Sequence, residues 1–247
     1  MVYYNLKPLD CPVILLRGWG TKTCDPSHRT WSHIEAYLTG TGVPYVVPYY
    51  HRFGSIEERA QSVIDQIRQL YPQWRVHLVG HSMGGLVARA IAARCNLPFK
   101  VLTVTTFGSP HRGLKYLGKL PGMDGDGKLA ALIREVFGSD FGGVCNITTE
   151  FMARFNQTTL NNPTVRYFSW AGHLRFYQIK YAAMLAFVSQ FHRHSDGIVG
   201  TESAAWGPDL GPGVHLGTVE GLSHSKIVSA ELFANSIPYL RSAELWR

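Results

Sequence analysis

Residues 76–86 read VHLVGHSMGGL. A short apolar run, a glycine–x–serine–x–glycine turn and an alanine-rich stretch follow one another without a spacer. An apolar run of that length before a helical pattern reads as a strand, so the turn runs from strand directly into helix. So sharp a reversal brings backbone close on both sides of Ser82, and glycine at 80 and 84 removes the Cβ atoms that would collide. The turn lifts Ser82 off the strand end and sets it at a helix N-terminus. The plain alternative is a glycine-rich turn with an incidental serine; the flanking strand and helix argue against it.

The rest of the chain repeats the strand–helix rhythm. Pro12 to Arg17 is a short apolar strand, and Trp31, Ile34, Tyr37 and Leu38 have helical spacing. Pro44 to Tyr50, rich in Val and Tyr, reads as a second strand. Ser55 and Glu58 form a capping box ahead of a helix whose face carries Ile56, Ala60, Val63, Ile64, Ile67 and Leu70, ended by Pro72. Val76 to Val79 is the next strand, Gly84 to Cys95 the next helix, and Val101 to Phe107 another β-branched strand. Later come strands at Val165 to Trp170 and Val214 to Val219, then a final helix from Lys226 to about Arg241. Alternation of this kind predicts an α/β fold, a mostly parallel sheet covered by helices on both faces. No repeat, low-complexity tract or linker divides the chain, and 247 residues suit one domain.

Regularity fails between Gly108 and Pro163, which reads as an insertion over the sheet, about residues 112–163. Inside it, Lys128 to Phe137 carries Leu129, Leu132, Ile133, Val136 and Phe137 on one stripe, the pattern of a lid helix that covers an apolar groove and opens at an apolar surface. An ordinary core-packed helix would show the same stripe. A second short helix is expected around Thr148 to Phe155.

A serine hydroxyl is a weak nucleophile without a base. On a strand–turn–helix scaffold the partners follow in the order serine, acid, histidine. Of eleven histidines, His224 in EGLSHSKIV falls just after a late strand and before the last helix, where the base belongs. Asp196 in HSDGIVG lies between the two last strands and is the expected acid; Asp209, Glu202 and Glu220 compete for the role. Acyl transfer also needs backbone N–H donors for its oxyanion. Met83, after the nucleophile, should supply one, and Trp19 in the Arg17-Gly18-Trp19-Gly20 loop after the first strand the other.

With these residues in place, the chain resembles the true lipases of the α/β-hydrolase fold, the bacterial triacylglycerol lipases and their fungal relatives. The resemblance runs from about Pro12 to Ser229, through VILLRGWG, HLVGHSMGGLVARAIAA, LTVTTFGSPHRG, TTEFMARFN, VRYFSWAG, SDGIVG and LSHSKIV. It implies the same triad, Ser82, Asp196 and His224, and the same donors, Trp19 and Met83. Three features depart from it. Arg17-Gly18 stands where the family usually has His-Gly. Lys226 stands where related lipases often place a calcium-binding Asp, and it is expected to neutralise carboxylates such as Glu220 or Glu231. The insertion also looks short.

The remaining features narrow the reading. A net charge of +7 with scattered Lys and Arg shows no nucleic-acid signature. The N-terminal ten residues lack a signal-peptide core and no apolar run is long enough to span a bilayer, so a soluble chain is expected, intracellular or a processed secreted form. Cys95 reads as a buried thiol at a helix end. Cys11 and Cys24 flank the first strand and could pair if the chain is secreted, which the sequons at Asn146 and Asn156 also permit; neither decides the compartment. His192, His194 and Asp196 invite a metal site, but Asp196 has the better role and no fourth ligand is evident; no metal or cofactor is expected. His111 reads as a structural hydrogen-bonding residue. The expected activity is carboxylic-ester hydrolysis, on acylglycerols at a lipid–water interface. Carboxylesterase, phospholipase and acyl-protein thioesterase activities use the same triad, and a non-catalytic lipid-binding protein is the reading from another class.

Overall fold

A computed structural model describes residues 9–19, 30–51, 54–117, 144–175 and 188–245. Among the described residues there are six strands, β1 (Val13–Leu16), β2 (Tyr45–Val46), β3 (Arg75–His81), β4 (Lys100–Phe107), β5 (Arg166–His173) and β6 (Val214–Glu220). They form one sheet in the order β2-β1-β3-β4-β5-β6, and every pairing is parallel. The helices are α1 (Ser32–Thr41), α2 (Ile56–Leu70), α3 (Met83–Ala92), α4 (Thr149–Thr158), α5 (Thr201–Ala204) and α6 (Ala230–Glu244).

Burial on both faces explains why the inner strands read as unbroken apolar runs. All four residues of β1 are buried, with Ile14 and Leu16 facing α2 and α3, and Val13 and Leu15 facing α1 and α6. Val76 and Leu78 of β3 join the first core and Val79 the second. Helix α2 begins as expected: the Ser55 hydroxyl accepts from the Glu58 N–H and the Glu58 carboxylate accepts from the Ser55 N–H.

Three sequence expectations are corrected. The second strand shrinks to Tyr45–Val46, because beyond it Pro48 has no N–H to pair and Gln66 of α2 takes both the N–H and the carbonyl of Tyr49. The last helix starts at Ala230, capped by the Ser229 hydroxyl, while the preceding segment folds as a turn in which the Lys226 and Ile227 N–H groups donate to the Ser223 carbonyl. Cys95 is exposed, since α3 ends at Ala92 and leaves it outside the apolar face. The lid stripe Leu129, Leu132, Ile133, Val136 and Phe137 and the residue Cys24 lie outside the described residues; Cys11 is a free thiol.

The strand order changes direction at β1. The chain leaves β1 through α1 for β2 on one side, then returns through α2 to β3 on the other. The connections that leave the carboxyl ends of β1 and β3 therefore run to opposite sides and leave a crevice between them, the place where open α/β sheets bind ligands.

Candidate active site

Ser82 stands at that crevice, at the end of β3 and the start of α3. Its backbone has φ +53° and ψ −129°, a region a non-glycine residue enters at a cost of about 1–3 kcal/mol. Neighbouring glycines make the turn possible. A Cβ on Gly80 would lie 2.4 Å from the Gly85 nitrogen, and one on Gly84 would lie 2.1 Å from the Leu16 carbonyl. The Ser82 N–H donates to the Phe107 carbonyl at 2.9 Å, tying the elbow to the end of β4.

The residue that follows β4 brings in the other two side chains. Gly108 has φ +57°, and a Cβ there would come within 3.0 Å of Asp196 Oδ2 and 3.3 Å of His224 Nδ1. Gly172 on β5 backs Asp196 from the other side, its missing Cβ only 3.0 Å from that of the aspartate. Between them His224 Nδ1–H donates to Asp196 Oδ2 at 2.7 Å, with the aspartate 1% exposed and the histidine side chain 13%. The other carboxylate oxygen, Oδ1, accepts from the N–H groups of Ile198 at 3.0 Å and Val199 at 2.8 Å. A backbone bond from the His224 N–H to the Asp196 carbonyl couples the two loops again.

The competing acids are engaged elsewhere. Asp209 accepts from Arg112, Glu202 from His192 and Lys115, and Glu220 from Arg175. The pairing expected between Lys226 and Glu220 is therefore corrected: Arg175 reaches Glu220 from the end of β5, and Lys226 is exposed. The two histidines near Asp196 also go separate ways, His192 to Glu202 and His194 to His173 at 3.1 Å.

His81 is buried beside the nucleophile. Its ring lies 4.7 Å, centroid to centroid, from that of His224, and its Nε2–H donates to the His224 carbonyl at 2.7 Å. Burial, reinforced by the neighbouring His224, drives its pKa down to about 3, so it stays a neutral strut rather than a second base. His111 behaves as expected of a structural residue: it bonds Thr106 Oγ1 at 3.0 Å, and burial holds it well below the usual histidine range. Its carbonyl accepts from Asn156, whose own Oδ1 accepts from Arg89, so this sequon amide is an internal brace.

The loop after β1 has a support that the sequence reading missed. Arg59 is 1% exposed, packs over the Trp19 ring at 5.2 Å and the Tyr50 ring at 5.4 Å, and donates to the carbonyls of Gly54 and Gly18. Tyr50 adds a 2.7 Å bond from its hydroxyl to the Arg17 carbonyl. With the carbonyls of Arg17 and Gly18 both held, the following Trp19 peptide is fixed beside the elbow; Gly18 approaches so closely that its Cβ would lie 2.9 Å from Ser82 Cβ. Met83 is the first residue of α3, where helical N–H groups have no acceptor within the helix. The signal for Arg59 was its spacing, three residues after Ile56 and one before Ala60, on the apolar stripe of α2.

A strained serine on a strand–helix elbow, beside an aspartate–histidine pair at the carboxyl edge of a parallel sheet, belongs to the ester hydrolases of the α/β-hydrolase fold. The chain belongs to the palmitoyl protein thioesterase family, which it matches over residues 12–177. It is 26% identical over 286 aligned positions to the triacylglycerol lipase of Pseudomonas fragi, spanning 95% of this chain and 97% of that protein. It is 25% identical over 213 positions to triacylglycerol lipase 2 of Saccharomyces cerevisiae, covering 81% of this chain but only 62% of the yeast protein. Among solved structures it is similar to a Bacillus licheniformis lipase, with TM-score 0.73 and 21% identity over 94% of each chain. A Staphylococcus hyicus lipase gives TM-score 0.71 and 16% identity over 96% of this chain and 97% of that one. These structural likenesses establish the fold.

Proposed function

We propose that the chain hydrolyses fatty-acyl esters through an acyl-enzyme, with acylglycerols as substrate. Ser82 Oγ attacks the ester carbonyl as His224 Nε2 takes its proton. Asp196 keeps His224 in the Nδ1–H tautomer and stabilises the imidazolium. The N–H groups of Trp19 and Met83 receive the oxyanion. His224 returns the proton to the departing alcohol, then activates the water that releases the fatty acid and frees Ser82. The reading rests chiefly on the 2.7 Å bond between His224 and Asp196 in the crevice where Ser82 stands.

Acylglycerol is favoured as substrate by both triacylglycerol lipase relatives. A second reading, hydrolysis of long-chain acyl thioesters, is favoured by the family match over residues 12–177. The same acyl-enzyme serves both, with a thiol leaving in place of an alcohol. Rates on p-nitrophenyl esters of increasing chain length, on emulsified triglyceride and on a palmitoyl thioester decide between them. Fastest turnover on emulsified triglyceride supports the first reading, and fastest turnover on the thioester the second. Failure of a fluorophosphonate to label Ser82 would remove both.

A further inference from the structure

At the opposite end of β3 from Ser82, three side chains converge that the hydrolytic site does not use. Cys11 precedes β1, His77 lies in β3 beside Val13 of β1, and Glu244 ends α6. All three are buried or nearly so. Their ligand atoms, Sγ, a ring nitrogen and a carboxylate oxygen, lie within 4.8 Å of one another. We propose that Cys11, His77 and Glu244 form a binding site for a zinc ion that clips the start of β1 to the end of the last helix.

The donor set fits. Thiolate, imidazole and carboxylate are zinc's three protein ligand types, and three of them with one open position make a tetrahedron. Zinc bonds of the usual lengths set neighbouring ligand atoms about 3.3–3.6 Å apart. His77 Nε2 and Glu244 Oε1 already stand 3.1 Å apart, close to such an edge. Both ligands are held from behind. His77 Nδ1 lies 2.9 Å from Thr103 Oγ1, so with Nε2 on the metal its Nδ1–H donates to that hydroxyl, the support a metal-bound histidine usually has. Glu244 is fixed by the N–H groups of Cys11 at 2.8 Å and Asp10 at 3.3 Å. Burial pushes the Cys11 thiol up, and Arg75, anchored on the Glu244 carbonyl at 2.6 Å, opposes that rise; the bound ion itself is what displaces the proton. The thiol proton leaves to solvent, and the two anionic ligands balance the dication. Without metal, the same atoms satisfy one another as a hydrogen-bonded cluster, so the fold does not depend on the ion.

Zinc titration of the whole chain, followed by calorimetry and thermal melting, tests the site. One equivalent should bind, and at a hundredfold excess over Kd the Tm should rise on the order of 5 °C. Thr103→Val should weaken zinc about 10–100-fold, and Cys11→Ser or Glu244→Gln by more. Glu244→Gln keeps the acceptor for Cys11 and His77 and so preserves the metal-free fold. Cobalt(II) gives a readout independent of the variants at the site. In a Cys24→Ser, Cys95→Ser, Cys145→Ser background, where Cys11 is the sole thiol, it should show a thiolate-to-cobalt charge-transfer band. No such band, or zinc stabilisation undiminished in Cys11→Ser and Glu244→Gln, overturns the site. Neither outcome bears on ester hydrolysis, which fluorophosphonate labelling of Ser82 reads separately.

Discussion

Asp196 divides its two carboxylate oxygens between His224 and its own loop: Oδ2 accepts the imidazole Nδ1–H at 2.7 Å, and Oδ1 accepts the N–H groups of Ile198 and Val199. Replacement by Asn separates these tasks. The amide oxygen can still serve the loop, but the NH2 group then faces His224 Nδ1 and imposes the wrong tautomer. Asp196→Asn should therefore fold with near-normal Tm and lose about 10⁴-fold in kcat, by analogy with the serine proteases in which this substitution defines the effect. Ser82→Ala should lose on the order of 10⁶-fold. Near-full activity in Asp196→Asn would reopen the choice of acid.

Arg59 offers a test of the loop after β1. Arg59→Met keeps the apolar stem but leaves the Gly18 and Gly54 carbonyls without their donor and removes the cation packed between Trp19 and Tyr50. A shift of about 1 Å in the Trp19 peptide can cost on the order of 10²-fold. On the proposed role of the Trp19 N–H as an oxyanion donor, kcat on a soluble short-chain ester should fall while KM changes little. A rise in KM alone would assign Arg59 to substrate binding rather than to the oxyanion loop.

Much of this arrangement was legible in the sequence because it is local. The elbow is written in five consecutive residues, and the positions of Asp196 and His224 follow from strand counting. The supports were not legible, because they depend on contacts between distant segments. Nothing near Arg59 in sequence announces Gly18, 41 positions away, and nothing near Gly108 announces that its missing Cβ makes room for Asp196 and His224. The second strand was over-read for a related reason: Val and Tyr have strand propensity, yet Gln66 captures the backbone of Tyr49 first.

Acid stability should report the buried histidines. His77, His81 and His111 are all held below the ordinary histidine pKa by burial, His81 down to about 3. Unfolded, each takes up a proton near pH 6.5. Between that value and the depressed folded pKa the unfolded chain binds more protons, so stability falls as pH drops through this window. Each such histidine contributes a slope of up to about 1.4 kcal/mol per pH unit. His81→Gln, whose amide can still donate to the His224 carbonyl, should flatten urea-derived stability between pH 6 and 4 by up to that slope. An unchanged slope would mean that His81 protonates without unfolding.

The apolar stripe of 128–137 is proposed to contact lipid. Leu132→Asp with Val136→Asp should then depress turnover of emulsified long-chain ester well below that of soluble short-chain ester, because burying carboxylates against acyl chains is unfavourable. An equal loss on both substrates, with a lowered Tm, would make the stripe part of the core instead.

Calcium should be dispensable to the His224 loop. A lysine ammonium has only donors, so Lys226 cannot ligate a cation, and calcium prefers carboxylates and other oxygens. The carboxylate that such a site would recruit from β6, Glu220, is already engaged by Arg175. Its pKa is lowered first by that hydrogen bond and then by the arginine charge. An exposed, solvent-screened pair of this kind contributes little to global stability. A calcium-selective chelator should leave both esterase activity and Tm unchanged, and added calcium should do the same. In Arg175→Ala the freed Glu220 should not create a calcium site, since one carboxylate falls short of the six to eight oxygens the ion takes. A Tm that falls on calcium-selective chelation and returns with calcium, but not with zinc, would show that oxygen ligands other than the expected Asp hold calcium at this loop.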